Sequence, residues 1–219
     1  MTAPLLAYHS KPAIKSKYLR RVRAHAKADK LVKGVYWEDG KGCAVGCTIH
    51  SNRHEDYEPE LGIPWQLAAI EDNLFEILPN AQAMTWPDRF LSAITPGADL
   101  SMVGKRWLAW LVRDTAGASR NDAEHAIVLR MADLMDRSIA GDEPTQEQWD
   151  SAARDAWDAW AARGAWAARA ARGAWDAWDA WGAWGAWDAW DAWDAWDADK
   201  AVIRMSEKLL ELLTLAPLP

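Results

Sequence analysis

Apolar positions near the start of the chain recur at every fourth place. Ile14, Tyr18, Val22 and Ala26 share one face of a helix. Ser10 stands where an N-cap belongs, Pro12 fits the first turn, and Gly34 fits the position after the last. Beyond it, Val35–Trp37 and Cys43–Ile49 are short β-prone runs around Glu38-Asp39-Gly40-Lys41-Gly42, the signal of a hairpin near 35–49. Gly46 inside the second run marks a bulge. From Ser51 onward the period is helical again. Pro64 opens a helix carrying Leu67, Ile70, Leu74 and Ile77 on one face, and Pro79 closes it. Pro87 opens the next, which Thr95-Pro96-Gly97 breaks. Leu100, Val103, Trp107, Trp110 and Leu111 fit a third, and Asn121–Ile139 a fourth. Gly141-Asp142-Glu143-Pro144 interrupts the chain, and Thr145–Gln148 has the spacing of a capping box. The pattern predicts a mostly α protein. A helical head with a small hairpin fills 1–144, a long helix fills 145–214, and 215–219 form a tail.

Residues 152–199 follow another rule. They are 16 uninterrupted triplets whose middle residue is always Ala and whose third is Trp eleven times and Arg four times. A strand would send successive Trp to alternate faces, and 3₁₀-helices rarely exceed three or four residues. Ala fills 20 of the 48 positions, which favours an α-helix about 72 Å long at 1.5 Å per residue. In that geometry the Trp stripe drifts about 60° per triplet, too fast for a two-stranded coiled coil.

The composition sharpens this picture. Of the 17 Trp, eleven lie in the triplets: Trp157, Trp160, Trp166, Trp175, Trp178, Trp181, Trp184, Trp187, Trp190, Trp193 and Trp196. Each hides about 150–250 Å² when buried, whereas a monomer rarely leaves more than a few hundred Å² of contiguous apolar surface open. Self-association is the simplest way to cover the excess, so these Trp form the expected homo-oligomer interface. Asp188, Asp191, Asp194 and Asp197 are like-charged neighbours at i,i+3. Acidification should therefore strengthen the helix or its assembly.

The net charge of −7 conceals a basic head and an acidic repeat. Nine of the 23 residues from Lys11 to Lys33 are Lys or Arg, against one acid, Asp29. Lys17, Arg20, Arg21, Arg23 and Lys27 are the candidate contacts for an anionic ligand, and through them the helix is a candidate nucleic-acid or nucleotide binder. The acidic total, with a pI near 5.2, opposes a dedicated nucleic-acid protein. No 18-residue apolar run is present, so no membrane partner is expected, and two Cys give no disulfide framework. A cytoplasmic setting follows.

One compact group could carry chemistry. Cys43, Cys47, His50 and His54 supply the four soft-to-borderline ligands that zinc takes, although Cys-x3-Cys is not a standard knuckle spacing. The competing readings are two buried thiols with surface imidazoles, or a nucleophilic or redox enzyme using Cys43, Cys47 and His50. Glu58, Glu60, Glu71, Asp72 and Glu76 read as a solvated acidic face without the Glu-x-x-His pairs of a di-metal centre. No phosphate loop, nucleophile elbow or His-Glu-x-x-His motif occurs.

At Gly42-Cys43-Ala44-Val45-Gly46-Cys47-Thr48-Ile49-His50, and again at Glu60-Leu61-Gly62-Ile63-Pro64, the chain resembles uncharacterised bacterial and phage proteins. These carry a head of this kind and an Ala-rich tandem-repeat tail. The resemblance covers roughly the first 110 residues and implies no activity. The dense Trp triplets depart from it. Together these features lead us to expect a non-enzymatic interaction protein, oligomerised through its repeat, whose head binds a ligand or partner. No cofactor is required.

Overall fold

The computed structural model describes residues 5–119, 121–163, 167, 168, 171 and 198–219. Its α-helices are α1 (Pro12–Lys27), α2 (Ala44–Ile49), α3 (Tyr57–Leu61), α4 (Trp65–Ile77), α5 (Asn80–Ala83), α6 (Trp86–Ala93), α7 (Val103–Thr115), α8 (Asp122–Ile139), α9 (Gln146–Arg163) and α10 (Ala198–Thr214). A two-stranded antiparallel hairpin, β1 (Trp37–Glu38) and β2 (Lys41–Gly42), pairs Trp37 with Gly42. The fold is mostly α with a small hairpin, as the hydrophobic pattern predicts.

Two compact units divide the chain. The first joins 1–103 to 199–219; the second is Gly104–Ala198. In the first unit α1 packs on α2 and α6, and α2 packs on α4. Tyr8, Tyr18, Tyr57, Phe75, Trp86 and Phe90 are fully buried there. Helix α10 supplies Met205, Leu209 and Leu213 to the buried set. Arg89 of α6 binds Glu207 of α10, and the Asp99 amide donates to the Pro217 carbonyl at 2.8 Å. In the second unit α8 and α9 pack together, with Val128, Met131, Met135, Trp149 and Ala153 buried. The α9 capping box is reciprocal: the Gln148 amide donates to Thr145 Oγ1, and the Thr145 amide to Gln148 Oε1.

Three local expectations need correction. Cys43–Ile49 is the helix α2 rather than a strand, because Cys43 caps it and Gly46 lets it pack directly on the hairpin backbone. Helix α1 ends at Lys27, well short of Gly34, since Asp29 adopts a left-handed backbone at φ 51°. Its N-cap is Lys11 rather than Ser10, which is itself left-handed at φ 58°. Ala168 shares a buried cluster with Ala156, packed against Ile127 and Ala159. The middle of the single helix expected over 145–214 lies largely outside the described residues.

Candidate functional site

Every Cys and His singled out in the sequence lies where α1, the hairpin, α2, α3 and α4 meet. Close backbone approach builds this junction. A Cβ placed on Gly46 would stand 1.6 Å from the Tyr36 carbonyl oxygen, so only glycine lets α2 pack there. Cys43 is the α2 N-cap, and its Sγ accepts from the Gly46 amide at 3.4 Å. The Cys47 thiol donates to the Gly42 and Lys30 carbonyls at 3.3 and 3.4 Å. Both thiols are free and buried. Burial, reinforced by the neighbouring Asp72 carboxylate, drives the Cys43 thiol far above its ordinary range. Burial alone pushes Cys47 up to about 11. At neutral pH both remain thiols, whereas nucleophiles and metal ligands are thiolates.

The two downstream histidines diverge. His50 is the C-cap of α2, left-handed at φ 57°. Its Nε2 lies 2.8 Å from His25 Nε2, and its ring stacks on Trp37 at 4.3 Å and 10°. The His25 ring meets the same indole edge-on at 5.5 Å. Both imidazoles are held below their ordinary pKa by burial first and by Arg21, with Lys30 adding to the effect at His25. His54 turns instead to Asp72, with Nε2 3.2 Å from Oδ2, and its ring sits against Tyr36. The set Cys43, Cys47, His50 and His54 therefore does not converge. Among the described residues no group of three or more His, Cys, Asp or Glu is arranged to hold a metal ion.

Glu71 and Asp72, read from the sequence as part of a solvated face, are buried at 0% and 4% exposure. The Tyr57 hydroxyl donates to Glu71 Oε2 at 2.7 Å, and Trp86 Nε1–H donates to the Glu71 backbone carbonyl at 2.9 Å. Glu71 Oε1 and Asp72 Oδ1 have no protein partner. Burial holds the Glu71 carboxyl well above its ordinary range, with the charge of Asp72 adding to it. The surroundings of Glu71 thus favour its neutral form. The signal for this was in the sequence: α4 has apolar residues at 67–70, 74, 75 and 77, leaving no wide polar face.

The basic segment does a structural job that its composition does not announce. Lys15 donates to the carbonyls of Ser92 and Ile94, both at 2.7 Å, at the end of α6. Arg21 donates to the Thr48 carbonyl in the last turn of α2 at 2.8 Å. Lys33 reaches the Leu78 carbonyl, just past α4. Each satisfies carbonyls that a helix end leaves unpaired and opposes its dipole. Among the candidate anion contacts, Arg21 is thus engaged. Lys17 donates to the Tyr18 hydroxyl at 3.1 Å, and Arg23 pairs with Asp88 at 2.8 Å. Arg20 and Lys27 are exposed.

At the start of the triplets the small residues face inward. Ala153, Ala156, Ala168 and Ala171 are buried, while Trp157 is 50% exposed. Trp160 lies within α9. Trp166, Trp175, Trp178, Trp181, Trp184, Trp187, Trp190, Trp193 and Trp196 lie outside the described residues. No helix among the described residues is long and apolar enough to cross a membrane.

Comparison of the chain with family models, curated proteins and solved structures gives no match. The resemblance at Gly42–His50 therefore carries no activity and no site residue onto this chain.

Proposed function

We propose that the protein is a non-enzymatic interaction protein that assembles with copies of itself through its Trp triplets and presents the head to a partner. The observation that supports this most directly is the orientation of the first triplets. The described alanines pack inward, and Trp157, the one triplet Trp whose side chain is described, stands half-exposed, which supports a Trp edge turned toward association. Buried together, the eleven triplet Trp of the sequence would cover on the order of 1,600–2,700 Å², the size of a standard to large interface. Two further observations weaken the competing readings. Thiols held protonated by burial are poor nucleophiles, which disfavours a Cys/His enzyme. Lys15, Arg21 and Lys33, committed to helix ends, leave the basic segment 11–33 fewer charges for a polyanion. Free, buried Cys43 and Cys47 suit a reducing, cytoplasmic setting.

Sedimentation velocity of the full chain over a range of concentrations tests the reading. Species heavier than the 24.5 kDa chain, lightened by replacing the triplet Trp with Gln while the helical content of the head persists, are expected. A monomer at every concentration would refute it.

A further inference from the structure

We propose that His25 and His50 form a proton-operated latch that pins the last turns of α1 and α2 to the hairpin and opens when both imidazoles are charged. The geometry carries the idea. The two Nε2 atoms face each other at 2.8 Å, so exactly one proton can lie between them, donated by one ring and accepted by the other. A second proton sets two N–H groups head to head. Trp37 of β1 closes the arrangement, stacked on His50 and edge-on to His25. Three elements that are otherwise distant in sequence are therefore joined by one shared proton.

The charged surroundings act in the same direction. Arg21 of α1 faces both rings and Lys30, in the loop after α1, faces His25. Glu60 of α3 is the one acid acting on His50, and it already accepts the Tyr18 hydroxyl. Stacking on Trp37 favours an imidazolium, but weakly. Two like charges in contact, with Arg21 beside both, outweigh it. His25 Nδ1 is buried without a protein partner, so charging that ring adds a second N–H with nothing to receive it. Opening the latch relieves each of these penalties and frees Trp37.

Hydrogen exchange measured by mass spectrometry from pH 7.5 to 5, corrected for the intrinsic pH dependence of exchange, tests the latch. Peptides spanning 20–31 and 35–50 should lose protection below about pH 6.5, the opening constant rising by up to about tenfold per pH unit for each coupled proton. Peptides of α8 should not change. His50→Asn keeps a residue tolerant of the left-handed C-cap, and His25→Gln provides an independent variant. Either should flatten the pH dependence. Equal loss of protection in α8, an unchanged profile in whichever variant folds, or flat protection in the unmodified protein would each overturn the proposal.

Discussion

At the residue scale the least expected feature is a carboxyl group buried in the core. Glu71 is fully buried, receives the Tyr57 hydroxyl, and has its pKa raised chiefly by burial. The sign of its linkage follows. A carboxyl whose folded pKa lies above its unfolded one stabilises the fold below the unfolded value, and that contribution is lost as pH rises through the folded one. Glu71→Gln should therefore remove a downward slope in stability above about pH 4.5. It should also raise stability at pH 8 by roughly 1 kcal/mol or more, read from chemical denaturation at both pH values. The histidine pair has the opposite sign. Bases held below their ordinary pKa support the fold above about pH 6.5 and withdraw that support as pH falls. The thiols give a simpler expectation. With Cys43 and Cys47 buried and held protonated, a thiol reagent at pH 7.5 should label the native protein orders of magnitude more slowly than the unfolded chain. Labelling at the unfolded rate would contradict their burial. Gly46 is the position least able to change. Gly46→Ala drives a Cβ to 1.6 Å from a backbone oxygen, and we expect loss of more than about 3 kcal/mol, enough to unfold a marginal head.

At the element scale, most helices were legible because Pro, Gly and capping residues punctuate them. Pro64 and Pro79 bracket α4, and the Asn121 side chain caps α8 by accepting the Glu124 amide. Cys43–Ile49 misled because Val, Cys, Thr and Ile carry β-propensity, and a six-residue run is too short to show a helical period. Tertiary packing decided it, through the glycines. The candidate site was legible in membership and illegible in geometry. Cys43, Cys47, His50 and His54 do gather at one junction, but His25, Trp37 and Asp72 are the partners that disperse them. Those partners come from three other elements, and spacing within one segment does not encode them. The role of α1 was hidden for the same reason, since a lysine bound for a helix end looks like any other in sequence. Lys15→Met and Arg21→Met should each cost about 1 kcal/mol in thermal or denaturant unfolding, with little change in salt dependence. A loss confined to low salt would mean solvated charges instead.

At the scale of the whole molecule, the charge pattern gives the proposed assembly an expected response to acid. Asp188, Asp191, Asp194 and Asp197 stand at i,i+3 spacings and would repel one another on the expected helix. Protonating them between about pH 5 and 4 should raise the sedimentation coefficient; dissociation over that range would contradict the expectation. The same interval lies below the pH at which the imidazole pair opens, so association and loosening of the hairpin junction should separate on a pH scan. The repeat rule was fully legible as sequence. What it packs against was not, because a triplet says nothing about which of its three edges meets a neighbour, and at Ala153 and Ala156 the small edge turned out to be inward.

The return of α10 to the first unit has a consequence for how the protein is made. That unit is encoded in two pieces with the 95 residues Gly104–Ala198 between them. During synthesis at about 5–20 residues per second, roughly 5–20 s pass between the emergence of the two pieces. Throughout that interval the partners of Glu207 and Pro217, at Arg89 and Asp99, lack their native cover. The Trp-rich triplets emerge during the same window. Under the proposed association of the triplets, nascent chains on one polysome would meet before folding is complete, and chaperone dependence should rise with the number of triplets.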